Sequence, residues 1–359
     1  MQSLFFELIR IAVGMQQEFS KIPSAKEWAV LYQLAEKQAV LGVCFTAVKK
    51  MAHSVPQPLY MKWLAMVAKI QQQNEELNGK CAKVYNAISE KGFKCVILKG
   101  QGVAELYNPN LGLYRQSGDI DVWIWKEGLS LKENKREIIR FARTINPKAI
   151  DTVHHVSVEW FRTEVELHFE PAYFCNPFAN RKLRKWFCKY DKSMFHLSDN
   201  GFCVPDTDFN RVFLLAHIYR HYMIEGLGLR QVMDYYFLLI SSHETNREFG
   251  FSDPNPENDY MIKQLGMAKF EKAMKWVMEY VFEGKNCEDC RKCGKMLLRH
   301  IMDGGNFGKH KATTVASRHT HIGRFINQLS HDLRLMRYYP CEAVWVPLSM
   351  IKEFVRIRI

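Results

Sequence analysis

Apolar residues recur three and four apart along most of the chain, and the period drops to two only in its middle. Leu4, Phe5, Leu8, Ile9 and Val13 make one helical stripe. Trp28, Leu31, Leu34 and Ala35 begin another, with Ser24 as the start of its helix. Gly42 and the tract Ser54-Val55-Pro56-Gln57-Pro58 break the pattern, and a long helix rich in Gln, Glu, Lys and Ala follows over 59–91. Residues 1–91 thus read as an N-terminal helical region.

After Gly92 the period changes. Phe93-Lys94-Cys95-Val96-Ile97-Leu98 is a nearly continuous apolar run suited to a buried strand, closed by Lys99-Gly100-Gln101-Gly102 before a helical pattern over 103–107. A strand, a glycine turn and a helix N-terminus leave backbone N–H groups free for an anion, although an ordinary strand-to-helix turn needs the same residues. Asn108-Pro109-Asn110-Leu111-Gly112 is a loop, and Arg115-Gln116-Ser117-Gly118 leads into strict alternation. Ile120, Val122 and Ile124 take one face of that strand; Asp119, Asp121, Trp123 and Trp125 take the other. Two carboxylates roughly 7 Å apart on one face repel each other, and a divalent ion with oxygen preference relieves this. Two solvated acids at a strand end would look the same in sequence.

An amphipathic helix is predicted over 126–143, with Leu131, Ile138, Ile139 and Phe141 inward, ended by Asn146-Pro147. A hairpin follows over 154–169, turning at Arg162-Thr163. Val165, Leu167 and Phe169 alternate there with Glu164, Glu166 and His168. If that strand lies beside Asp119-Ile120-Asp121, Glu166 is a third carboxylate at the same place; otherwise it belongs to an exposed polar face.

From Asp206-Thr207-Asp208 onward the pattern is helical. His217 and His221 stand one turn apart and could ligate a metal, but their neighbours Tyr219 and Tyr222 favour packing. Arg230 and Asp234, at i and i+4 of a helix over 227–240, make either a surface pair or a reach toward a nucleotide. Cys287, Cys290 and Cys293, with His300 or His310, have zinc-like spacing. They form one cluster where two separated pairs are usual, and a spacing of three also fits one side of a helix, so no zinc is expected. Gly304-Gly305-Asn306-Phe307-Gly308 lacks the Lys and Ser/Thr of a phosphate loop and reads as a helix terminator. A last helix from 342 carries Val344, Trp345, Leu348, Ile351 and Val355 on a stripe suited to core packing, with Arg356 and Arg358 at its end.

Composition narrows the picture. A chain of 359 residues, 47% hydrophobic and 25% charged, suffices for one large domain or two. Fifty Lys+Arg against 38 Asp+Glu leave a formal charge of +12, which favours polyanionic partners such as nucleoside triphosphates, nucleic acid or anionic headgroups. Glu7 and Arg10 interrupt the apolar N-terminus as they would an amphipathic helix, and no run reaches the ~18 apolar residues of a membrane span. Ten scattered cysteines then suggest a reduced, cytoplasmic protein.

Three pieces together resemble the uncharacterised nucleotidyltransferase family of the polymerase-beta-like superfamily: Leu98-Lys99-Gly100 after a strand, Arg115-Gln116-Ser117-Gly118-Asp119-Ile120-Asp121-Val122, and Val165-Glu166-Leu167-His168. Leu229-Arg230-Gln231-Val232-Met233-Asp234 and Gly304-Gly305-Asn306-Phe307-Gly308 sit where that family has a helical motif and a Gly-rich turn, so the likeness spans residues 25–310 or so. Gln101 departs from the Gly or Ser usual after that glycine, and the gap from Gly100 to Asp119 is longer than usual.

The resemblance implies an α+β fold. A small mixed β-sheet nucleotidyltransferase core over 92–205 would have flanking helices, between the N-terminal helical region and a C-terminal helical region over 206–359. It implies Asp119 and Asp121 on two Mg²⁺ (or Mn²⁺) ions with Glu166 as the third carboxylate. Lys99, Gly100, Gln101, Arg115, Ser117 and Gly118 would surround the triphosphate, with His168, Arg230 and Asp234 as further candidates. The expected activity is transfer of a nucleoside monophosphate from a triphosphate to a hydroxyl or phosphate acceptor, with release of pyrophosphate. The acceptor could be a sugar phosphate, another small molecule, a protein side chain or an RNA end. Two alternatives stand beside it: an inactive nucleotide sensor or scaffold with the same cleft, and a basic nucleic-acid-binding protein.

Overall fold

The computed structural model describes residues 1–107, 111–241, 255–308, 329 and 333–358, with side chains as far as 351. Helices α1 (Gln2–Val13), α2 (Ala25–Lys37), α3 (Leu41–Lys50) and α4 (Gln57–Glu90) form the N-terminal region. Ser24 caps α2 through a reciprocal capping box with Glu27, as the Ser-x-x-Glu spacing predicts. Strand β1 (Lys94–Ile97) then runs into the short helix α5 (Gln101–Ala104). Next come β2 (Ile120–Trp125), α6 (Leu131–Ile145), β3 (Ile150–Asp151), β4 (His155–Trp160) and β5 (Thr163–His168).

These strands make one mixed sheet in the order β1-β2-β5-β4-β3. Its central pair, β2 and β5, is parallel, with Asp121 opposite Glu166 and Trp123 opposite His168. The outer pairings are antiparallel. Alternation sorts the two faces. Ile120, Val122, Ile124, Val165 and Leu167 are buried against Ile138 and Ala142 of α6 and Val84 and Ile88 of α4. Asp121, Trp123, Glu166 and His168 occupy the other face.

That second face is covered by the C-terminal helices. After α7 (Pro177–Lys189) and the small hairpin β6 (His196–Leu197) and β7 (Cys203–Val204), α8 (Thr207–Ile224) crosses it. Asp206 caps α8 by accepting from the Phe209 N–H, and Phe209 stacks on Trp123 at 5.6 Å. The chain continues through α9 (Leu229–Ser241), α10 (Pro256–Gln264), α11 (Ala268–Met278), α12 (Arg291–Gly304), α13 (Pro340–Ala343) and α14 (Trp345–Arg358). No helix among the described residues is long and apolar enough to cross a membrane.

Several expectations are corrected. Helix α6 starts at Leu131 and not 126, because Gly128 takes a left-handed φ of 78° and Ser130 with Glu133 forms a capping box. The β4–β5 turn is Phe161-Arg162, both left-handed at φ 52° and 58°, so that Trp160 pairs with Thr163. The last helical stripe is not core: Val344, Leu348 and Ile351 are about half exposed, at 45%, 54% and 50%. Ala343 and Val346 are buried instead, and buried Glu342 accepts from the Cys175 and Asn176 N–H groups. The loop at 108–110, His310 and the side chains of Val355, Arg356 and Arg358 lie outside the described residues.

Candidate functional site

The sheet's polar face and the helices over it enclose a cavity of about 450 Å³. Its floor is built where β1 ends beside the start of β2: the Leu98 N–H donates to the Asp121 carbonyl at 2.8 Å. The chain then turns at Gly100 (φ 54°, ψ −113°) into α5. Gly102 lies so close to β1 that a Cβ there would sit 2.4 Å from the Ile97 carbonyl oxygen. This turn aims Lys99 back over β2, with Nζ 2.7 Å from Asp121 Oδ1.

Asp121 is 3% exposed and accepts a second contact, from His168 Nε2 at 2.9 Å. The same His168 nitrogen lies 3.2 Å from Glu166. Burial opposes charge on Glu166, but the hydrogen bond and charge of His168, then Lys99, hold its carboxyl down at about 2. On Lys99 burial is again the largest influence and lowers the pKa, yet Asp121, Asp119 and Glu166 together raise it above the ordinary value. His168 is likewise raised: burial is outweighed by its hydrogen bonds to Asp121 and Glu166. His155 lies 3.5 Å from Glu166 and is pushed down to about 4 by burial first and by His168 next.

The sequence candidates therefore separate. Asp121, Glu166 and His168 each offer a ligand atom within 4.8 Å of the other two. Asp119 is exposed and lines the same cavity, with Ser117 and Gly118 beside it. Gln101 faces elsewhere: its Nε2 donates to Asn78 and to the Asn74 carbonyl on α4. Arg115 lines the cavity, but its guanidinium donates twice to Asp234, at 2.7 and 2.8 Å, and once to Ser117. Asp234, which also accepts from the Tyr107 hydroxyl at 2.6 Å, thus meets Arg115 where helix spacing had suggested Arg230.

Arg230 donates instead to the Gln116 carbonyl at 2.6 Å, lies over the Phe307 ring and keeps an Nε–H without a partner among the described residues. Burial first and Arg115 next push its pKa down to about 10. His217 and His221 line the helical wall with ring centroids 4.3 Å apart, and His221 bonds Glu225 at 3.0 Å. Neither belongs to a three-ligand group among the described residues. The three late cysteines do not share a helix side: Cys287 precedes α12, Cys290 is its N-cap at φ 56°, and only Cys293 lies within it. His300 meets the Tyr222 hydroxyl at 2.9 Å.

His154, His155, Arg220, Glu225 and Phe307 also line the cavity and were not singled out as site residues in the sequence. His155 had a usable signal. Placing the hairpin turn one residue late shifts its partner from His168 to Glu170, which hides the contact. Phe307 had none. It reaches the cavity because Gly308 packs into the turn after α8, where a Cβ would stand 2.1 Å from the Glu225 carbonyl oxygen, and because Asn306 packs on Gly228.

A buried carboxylate, a second one across the sheet, an imidazole between them and a third acid at the mouth form a donor set that fits a divalent cation. The positive charge that such a set demands comes here from Lys99 and His168. Among known proteins, the family described as "Uncharacterised nucleotidyltransferase" has a sequence model that matches residues 24–248. No curated protein and no solved structure matches.

Proposed function

The chain belongs to the uncharacterised nucleotidyltransferase family, of the polymerase-beta-like superfamily, and from that premise we propose that it moves a nucleoside monophosphate from a triphosphate onto a hydroxyl or phosphate acceptor, releasing pyrophosphate. The observation that carries this reading is the parallel β2–β5 register, which sets Asp121 opposite Glu166 on the face toward the cavity.

In this reading Asp119, Asp121 and Glu166 hold Mg²⁺ or Mn²⁺. Such ions supply charge stabilisation for the attacking and leaving oxygens of an in-line displacement. Glu166, with a pKa near 2, stays ionised across the working range and acts as a ligand more than as a proton acceptor. Lys99 sits against Asp121 in a cation's place; with nucleotide present it turns to the triphosphate, where its charge opposes the growing negative charge on pyrophosphate. Arg230 offers a second cation on the helical wall, and the glycines at 100 and 118 leave room for phosphate oxygens. Arg115 is a positioning residue, joining the loop before β2 to α9.

One alternative has an observation of its own. The Lys99–Asp121 pair could persist with nucleotide bound, leaving a cleft that binds NTP without turnover. Pyrophosphate release from each NTP with Mg²⁺ or Mn²⁺, across sugar-phosphate, alcohol, protein and RNA acceptors, separates the two. Transfer predicts release that Asp119→Ala abolishes while the fold persists. Full activity of that variant would defeat the reading, and NTP binding without release under any condition would favour the sensor.

A further inference from the structure

Beside the cavity, which His154 and His155 line, three imidazoles form a cluster that the nucleotidyl-transfer reading does not use. Register places His155 directly across from His168, and the Phe169 and Glu170 N–H groups hold the His154 carbonyl at 3.0 and 3.2 Å, fixing it just before β4. The ring centroids lie 4.6 Å apart for His154–His155 and 5.0 Å apart for each of them with His168. One nitrogen from each ring falls within 4.8 Å of the other two. His154 and His168 are 8% and 1% exposed, yet Nδ1 of each has no hydrogen-bond partner among the described residues. Buried polar nitrogens are normally satisfied, so the open Nδ1 of His168, facing two more imidazoles, calls for an occupant.

We propose that His154, His155 and His168 form a separate cation site for a borderline first-row ion such as Zn²⁺, beside the carboxylate site. Three imidazoles around a tetrahedral ion with metal–nitrogen bonds of about 2.0–2.1 Å would have their nitrogens about 3.4 Å apart. His155 Nδ1 and His154 Nε2 already stand 3.4 Å apart. Nitrogen donors select against Mg²⁺, which prefers oxygen. His168 also has the outer support usual for a ligating histidine: Nε2 bonds the carboxylates of Asp121 and Glu166, leaving Nδ1 for the ion. An ion there would hold His168 in one orientation behind the two acids.

Co²⁺, which reports imidazole ligation by visible absorption, is the probe. The full chain, stripped with a chelator, is expected to take up one equivalent of Co²⁺ with a visible band. Equimolar Zn²⁺ should abolish that band, and a large excess of Mg²⁺ should leave it intact. His154→Gln and His155→Gln should each weaken Co²⁺ binding by more than about tenfold. Asp119→Asn should bind Co²⁺ like the parent, whatever it does to nucleotide binding, which keeps this test apart from the transfer reading. Should a histidine variant misfold, X-ray absorption of the parent with Zn²⁺ decides: three imidazoles support the site, and one or none overturns it. Displacement of Co²⁺ by Mg²⁺, or loss of the band in Asp119→Asn, would also overturn it.

Discussion

Two buried ion pairs flank the cavity, and they are built for opposite purposes. Arg115 and Asp234, whose side chains are 5% and 8% exposed, meet through two guanidinium–carboxylate bonds, with Tyr107 and Ser117 taking further valences. Lys99 and Asp121 meet through one ammonium at 2.7 Å, and His168 shares the carboxylate. A planar fork held at two points fixes register between the loop before β2 and α9. A single ammonium on a flexible stem is a point charge that another cation can replace. In the proposed reading, the same charges in the same cavity are a staple in one place and a replaceable counter-ion in the other.

Substitutions should separate the two pairs. Asp121→Asn keeps the shape of the floor but removes its buried charge, and pyrophosphate release is expected to fall by about 10³-fold, in line with loss of a preorganised charge contact. Unchanged turnover would make the pair a second staple. Arg115→Ala should leave Asp234 buried and unpaired, and urea unfolding should show a loss of about 3–5 kcal/mol. Adding Asp234→Ala to it should cost much less than the sum of the single changes. Lys99→Met is expected to tighten divalent-ion binding to the nucleotide-free protein and to weaken NTP binding, each by about tenfold, one pKa-unit's worth of interaction. Weaker ion binding would show that Lys99 does not occupy a cation's place.

The smallest effect is on pH dependence. His155 takes its proton near 4 in the folded chain and near 6.5 when unfolded. As pH falls from 6.5 toward 4, the unfolded state gains a proton here that the folded state does not, so stability drops through that window. His155→Gln should flatten the slope by up to one proton there, and an unchanged slope would mean that the imidazole is not held neutral by burial.

The sheet face toward α4 and α6 was legible because alternation leaves little choice: Ile120, Val122, Val165 and Leu167 must share a side. The same parity carried Asp121, Glu166 and His168 to the other face once β2 and β5 paired. Helix starts at Ser24 and Asp206 were readable from their capping side chains. What escaped depended on long-range packing. Gln101 turns toward α4 because Asn74 and Asn78 wait there, and Asp234 prefers Arg115 over its helical neighbour Arg230 because a bidentate partner is within reach. Phe307 enters the wall through glycine contacts between two loops far apart in sequence. The exposed Leu348 and Ile351 show the converse: an apolar stripe predicts a partner surface without saying that this chain supplies it.

In the proposed reading the carboxylate cleft transfers the α-phosphorus of a nucleotide. Parallel reactions with NTP labelled at the α- or the γ-phosphate, with Mg²⁺ or Mn²⁺ and a panel of acceptors, test it most directly. The α-label is expected to move to an acceptor while the γ-label leaves in pyrophosphate, and Glu166→Gln should stop both. Movement of γ-label to the acceptor, or undiminished transfer in Glu166→Gln, would contradict it.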